Sequence, residues 1–225
     1  MKLLLIGHTG TLGQLLVEGF QQLPEVELIT ASRSSGDHQV EIADADSVSQ
    51  LFAATGKVDA IVSAAGSTVF KPFEELTPAD IQQSVASKLQ GQVNLALIGQ
   101  HFLNEGGSIT LTSGIIKDEF IPMGTPSALV NGGLEAFVAS AAFEIGHGVR
   151  INAVSPNALV GSWETFADSF KGFIPVGDAP VFAAYQKAVF DHDWQNLHRL
   201  LRKSKSRKNR QIKADLAVFV LLKKK

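Results

Sequence analysis

The sequence contains no cysteine, which excludes a disulfide framework, thiolate chemistry and thiolate metal sites, and no metal is expected. Tyrosine occurs once, at Tyr185. No apolar run approaches the roughly 20 residues that span a bilayer. The opening residues 1–7 are too short for a secretory signal and run straight into a glycine motif. A cytoplasmic protein without a membrane partner is the expectation. What is present fits that picture: 225 residues, 45% of them hydrophobic, suit one globular α/β domain with a real core.

Short apolar runs alternate with helical spacings. Residues 3–6, 26–30, 38–42, 59–64, 108–112 and 150–154 read as strands. Residues 10–22, 46–55, 77–101 and 127–145 read as helices. Leu12, Leu15, Leu16, Val17 and Phe20 give the first its apolar side, and Val48, Leu51 and Phe52 lie on one face of the second. Thr77 is a good N-cap, with Pro78 at the first helical position and Asp80 three residues on. This alternation predicts a single-domain Rossmann fold: a doubly wound parallel sheet with helices on both faces and right-handed crossovers.

The first strand ends in Gly7-His8-Thr9-Gly10-Thr11-Leu12-Gly13, which opens the first helix. Gly7 permits the tight turn, Gly10 lets backbone approach a pyrophosphate, and Gly13 lets helix pack on strand. The helix N-terminus adds free N–H groups and partial positive charge. The second strand runs into Thr30-Ala31-Ser32-Arg33-Ser34, where an NAD-binding chain usually places an acid for the ribose 2′-hydroxyl. A guanidinium between two hydroxyls suits the 2′-phosphate of NADP instead. Asp37, Glu41 and Asp44 lie too late for the ribose contact.

Further motifs appear in order. Ser63-Ala64-Ala65-Gly66 follows the fourth strand, Gly107-Ser108-Ile109-Thr110-Leu111-Thr112-Ser113-Gly114 forms the fifth, and Arg150-Ile151-Asn152-Ala153-Val154-Ser155-Pro156 the sixth. With the glycine loop and Glu41-Ile42, this series resembles the short-chain dehydrogenase/reductase family over residues 1–190. The resemblance implies cofactor contacts from Gly7, Thr9, Gly10, Leu12, Gly13, Ser32, Arg33, Ser34, Glu41, Ile42, Ala64, Ala65, Gly66, Pro156 and Leu159. It also implies pairing of subunits through helices 77–101 and 127–145 into a homodimer or homotetramer.

The chain departs from the family at the reacting centre. The family's Tyr-x-x-x-Lys pair falls on Ser127 and Asn131, and Tyr185 has Val189 four residues on. The family's helix asparagine falls on Lys88. The two positions thus look exchanged. A serine hydroxyl is too weak an acid to replace tyrosine. Lys88 is therefore expected to supply the charge and the proton, with Ser113, Asn131 and Ser127 as the other catalytic candidates. Counted from Gly107, the family's catalytic serine position falls on either Ser113 or Gly114. The implied activity is NADP-dependent hydride transfer between nicotinamide and a carbonyl or alcohol substrate. The alternative is an inactive NADP-binding redox sensor.

Charge breaks sharply near the end. From Arg199 onward there are eleven Lys and Arg against one acid, Asp215, while the preceding residues hold nine against 21. Within the tail 191–225, residues 191–199 also stand where the resemblance implies Thr-Gly followed by an apolar strand. Asp193-Trp194-Gln195, back-translated and read one base over, gives Thr or Ile and then an obligatory Gly. A frameshift near Phe190 that replaced the last strand accounts for both features. On that reading the basic run says nothing about nucleic acid, and no nucleic-acid partner is expected.

Overall fold

The computed structural model describes residues 1–191 and the backbone of residues 218–222. Its strands are β1 (Lys2–Ile6), β2 (Glu27–Ser32), β3 (His38–Gln39), β4 (Val58–Ser63), β5 (Leu103–Thr112), β6 (Arg150–Pro156) and β7 (Val218–Leu222). They form one sheet in the order β3-β2-β1-β4-β5-β6-β7. The first six pair in parallel, as expected of a doubly wound sheet. An antiparallel edge strand, β7, lies against β6. It comes from the segment in which no strand was anticipated. Residues 192–217, on which most of the frameshift reading rests, lie outside the described residues.

Alternate side chains of β1 show how the layers form. Leu4 and Ile6 enter a core under α2 (Ala45–Thr55), α4 (Gly91–Gly99) and α5 (Thr125–Glu144). Leu3 and Leu5 enter the opposite core, under α1 (Thr11–Gln21) and α7 (Asp178–Phe190). All four are essentially inaccessible, which is why this strand reads as a continuous apolar run. The strand order reverses between β2-β1 and β4-β5. In such sheets this reversal opens a crevice at the carboxyl ends of the strands.

The continuous helix expected over residues 77–101 is broken. Its start is as read: Thr77 Oγ1 accepts from Asp80 N, and Asp80 Oδ2 accepts from Thr77 N at 2.9 Å. After α3 (Pro78–Ser84) the backbone widens into a π segment, Val85–Gln90, before α4 and a 3₁₀ turn, Gln100–Phe102. π turns concentrate at functional sites, and this one carries Lys88. A Cβ on Gly66 would sit 2.8 Å from the Lys88 Cα, so the turn after β4 and the wide turn touch backbone to backbone.

Like the short α6 (Trp163–Phe166), helix α7 was not read from the sequence. Its last carbonyls are taken by side chains of β6: Arg150 donates to Ala188 O at 2.8 Å and Val189 O at 2.6 Å, and Asn152 to Ala188 O at 3.0 Å. A cation at a helix C-terminus also opposes the helix dipole favourably.

Candidate active site

The glycine loop forms one end of a cleft of about 230 Å³. Gly7 adopts φ +89°, and a Cβ there would meet the Ala64 carbonyl at 2.7 Å. On Gly13 a Cβ would fall 2.0 Å from Gly7 O, so the helix can approach only as glycine. Gly10 is the N-cap of α1 and offers no side-chain cap, leaving the first N–H groups of the helix free for an anion. Of the expected cofactor contacts, Gly7, Thr9, Gly10, Ser32, Arg33, Glu41, Ile42, Ala64, Ala65 and Gly66 line this cleft. Gly13 supports it from behind, and Leu12 packs towards the α1 core. Ser34 is exposed beside it, in a loop folded over the Ser32 hydroxyl, which donates to Ser35 O at 2.8 Å and accepts from Ser35 N at 3.1 Å. Val40, Ser67 and Ser87 also line the cleft and carried no motif signal.

Two acids near the cleft hold neighbouring backbone groups. Asp37 accepts from the Thr30 backbone N at 2.8 Å and the Thr30 hydroxyl at 2.9 Å, and these bonds hold its carboxyl below the usual range. Glu41 accepts from Ala43 N. Arg33 is exposed.

Gly66 and Ser67 also line a second cavity of about 360 Å³. Its other walls include Lys88, Ser113, Ser127, Asn131, Pro156 and Leu159, so the remaining expected site residues meet here. Lys88 is the one charged residue in the lining. The residue as a whole is half-buried, but its ammonium end is desolvated, and that burial pulls its pKa down from 10.5 to about 8. The ammonium donates to Ser113 O at 3.0 Å. Among the described residues it has no carboxylate partner.

Ser113 presents its carbonyl, not its hydroxyl, to that lysine. The Ser113 hydroxyl, on a residue 2% exposed, donates to Glu135 Oε1 at 2.5 Å and accepts from Gly114 N at 2.6 Å. Glu135 Oε2 pairs with Lys117 at 3.0 Å. Burial alone would lower the Lys117 pKa, but hydrogen bonds to Asp118 and Glu135 outweigh it and raise it. The buried Lys117–Glu135–Ser113 chain was missed because the three positions lie far apart in sequence and carry no motif. Across the cavity, a Cβ on Gly114 would lie 2.9 Å from Asn131 Nδ2. Asn131 is 1% exposed, and its Oδ1 is buried without a partner among the described residues. Ser127 Oγ is 2.5 Å from Thr68 Oγ1. Tyr185 lines neither the cleft nor the cavity: it is fully buried on α7, bonded to Thr112 Oγ1 at 2.6 Å, and burial raises its pKa.

Residues 21–175 match the family model described as Enoyl-(Acyl carrier protein) reductase. The chain belongs to the short-chain dehydrogenase/reductase family, a family of oxidoreductases. It is 48% identical to the protein lin1944 from Listeria innocua, covering 85% of this chain and 94% of that one at a TM-score of 0.82. A small-chain dehydrogenase solved in complex with NADPH is 23% identical, covers 85% and 91%, and has a TM-score of 0.74. Hydroxynaphthalene reductase-like protein Arp2 of Metarhizium brunneum is 29% identical over 146 residues, 60% of this chain and 55% of that protein. The aligned part thus spans about half the length of that curated relative. The sequence contains no Tyr-x-x-x-Lys: its one tyrosine, Tyr185, has Val189 four residues on.

Proposed function

We propose that the chain is an NADP-dependent oxidoreductase acting on a carbonyl or alcohol substrate with Lys88 at its reacting centre. The observation that carries this reading is a desolvated ammonium, without an acid partner among the described residues, in a cavity that opens onto a glycine-lined cleft. The cleft fits a dinucleotide. Gly7, Thr9 and Gly10 with the uncapped start of α1 would hold the pyrophosphate. Glu41 and Ile42 would flank the adenine, and Pro156 and Leu159 the nicotinamide. Arg33, beside Ser32 and Ser34, would pair with the 2′-phosphate. The bound dinucleotide supplies or accepts the hydride.

The remaining steps belong to the chain's own residues. One N–H of the Lys88 ammonium is held by Ser113 O, leaving two for a substrate oxygen. Lys88 transfers a proton to that oxygen in reduction and takes it back in oxidation, a task favoured by a pKa near neutrality. Asn131 Nδ2 and the Ser127 hydroxyl orient the same oxygen. The Ser113 hydroxyl is committed to Glu135, so Ser113 acts through its carbonyl. NADPH titration followed by turnover with a carbonyl panel tests the assignment. Binding without turnover of any carbonyl would favour the sensor reading.

Two further parts belong to this proposal. The chain works as a homodimer or homotetramer through α4 and α5. The segment 191–225 is the product of a frameshift, and resequencing the gene around codon 190 checks it: an unbroken frame that encodes this same ending would end that reading.

A further inference from the structure

The second cavity has one cation and no acid in its lining. Its walls are otherwise strongly apolar on one side: Phe70, Phe166 and Phe170 face it, with Ile115 and Ile116 from the turn after β5. Phe70 and Phe166 pack with ring centroids 5.7 Å apart. Ile115, Ile116 and Phe170 form the core of a separate apolar cluster that Phe70, Phe166 and Phe173 complete. A ligand here meets hydrocarbon on one flank and a single ammonium on the other.

That ammonium is poorly compensated. Desolvating a cation is costly unless an anion or several acceptors replace its water. Lys88 has one protein acceptor, the Ser113 carbonyl, and the other hydrogen-bonding groups beside it in the lining are neutral: Ser67, Thr68, Ser127, Asn131 and Asn157. The nearest charged network on the neighbouring elements is Glu135 on α5 with Lys117 and Asp118 at the β5–α5 turn. There Glu135 is already paired with Lys117 and bonded to the Ser113 hydroxyl. That leaves two ammonium N–H bonds without an acceptor among the described residues. A single ketone oxygen uses one of them and leaves the charge uncompensated. Two oxygens on neighbouring carbons, one of them anionic, use both.

We infer that the substrate is an oxo acid with an aromatic or bulky apolar body, its carboxylate and reacting carbonyl oxygen both held by Lys88 and its body against the phenylalanine wall. This rests on the oxidoreductase reading above and narrows it to a substrate class. Binding the anion also restores the ammonium. The complex needs Lys88 charged, so affinity is full at neutral pH and falls as pH rises through about 8. Well above that value the fall approaches tenfold per pH unit. Phe166 and Phe170 set the size of the body accepted.

The test compares phenylpyruvate with 1-phenylpropan-2-one, which share a benzyl group and a ketone and differ only in a carboxylate against a methyl group. Calorimetric titrations are run on the full chain, with and without saturating NADP⁺. Losing a charge-assisted contact weakens binding by roughly 10- to 100-fold. Phenylpyruvate should bind at least about tenfold more tightly at pH 7, with or without the dinucleotide. Lys88→Met should abolish that preference, weakening phenylpyruvate far more than 1-phenylpropan-2-one, which loses only a neutral oxygen's contact. In the wild-type chain the preference should shrink between pH 7 and 9.5, a readout that needs no variant. Equal binding of the two compounds at pH 7, or a preference unchanged at pH 9.5 or in Lys88→Met, overturns the inference. The NADP⁺ titration itself reports separately on the oxidoreductase reading. Failure to bind the dinucleotide, with the carboxylate preference intact, would sink that reading and leave the anion site standing.

Discussion

Removing the Arg33 guanidinium should change which dinucleotide the cleft prefers without disturbing the fold. Arg33 is exposed at the end of β2, where its side chain supports no core packing. The loop around it is held by the Ser32 hydroxyl and by Asp37, which is bonded to Thr30, so Arg33→Ala should leave the loop in place. The same bonds engage one oxygen of the Asp37 carboxylate, and Glu41 Oε1 accepts from Ala43 N. A charge-assisted, two-pronged contact between guanidinium and phosphate contributes about 1.5–3 kcal/mol, or roughly 10- to 100-fold in affinity. Fluorescence titration of wild type and Arg33→Ala with NADPH and NADH measures it. Wild type should prefer NADPH by that factor, and the variant should lose most of the preference through weaker NADPH binding alone. Equal affinities in the wild type would refute the 2′-phosphate assignment.

Glu135→Ala leaves the half-buried Lys117 with Asp118 alone and deprives the buried Ser113 hydroxyl of its acceptor, so it should cost about 1–3 kcal/mol in urea unfolding. A loss below about 1 kcal/mol would show that water replaces the carboxylate. The Asp80 carboxyl is held down to about 2, first by Lys71 and then by Thr77, so its contribution is present above the unfolded value of 3.8 and is lost as pH falls through about 2. Asp80→Asn should therefore flatten the acid limb of the stability curve, and an unchanged limb would rule Asp80 out as its source. Leu97 and Leu129, half-exposed on α4 and α5, should lie in the subunit contact. Replacing both with Asp should shift the mass by light scattering to that of a monomer, and a wild-type monomer at micromolar concentration would contradict the assembly.

Much of the sheet was readable because its strands carry two different signals. Buried parallel strands such as β1 and β4 are continuous apolar runs, and the glycine loop marks the first strand–helix joint. The break in the helix over residues 77–101 was not readable. Residues 85–90 contain neither proline nor glycine, and the widening accompanies a tertiary contact between Lys88 and Gly66. Helix α7 was missed because its amphipathic face is weak, with Tyr185 and Val189 buried among alanines. At the site, local motifs could bring Lys88, Ser113, Ser127 and Asn131 into view, but not which way each group points. The rotation that gives Lys88 the Ser113 carbonyl and Glu135 the hydroxyl depends on α5 packing against β6 and the turn after β5. The apolar wall is assembled from short segments after β4, β5 and β6, where no period exists to be read.

The central claim is that Lys88 carries the chemistry that tyrosine and lysine carry elsewhere in the family. The direct measurement is single-turnover oxidation of NADPH, followed by absorbance, for wild type, Lys88→Met and Ser127→Ala with the best carbonyl from a panel. Loss of a general acid typically costs 10²–10⁴-fold. Lys88→Met should slow hydride transfer by at least about 100-fold while NADPH affinity changes little, and Ser127→Ala should cost far less. Normal turnover by Lys88→Met, or a larger loss in Ser127→Ala, would contradict the account.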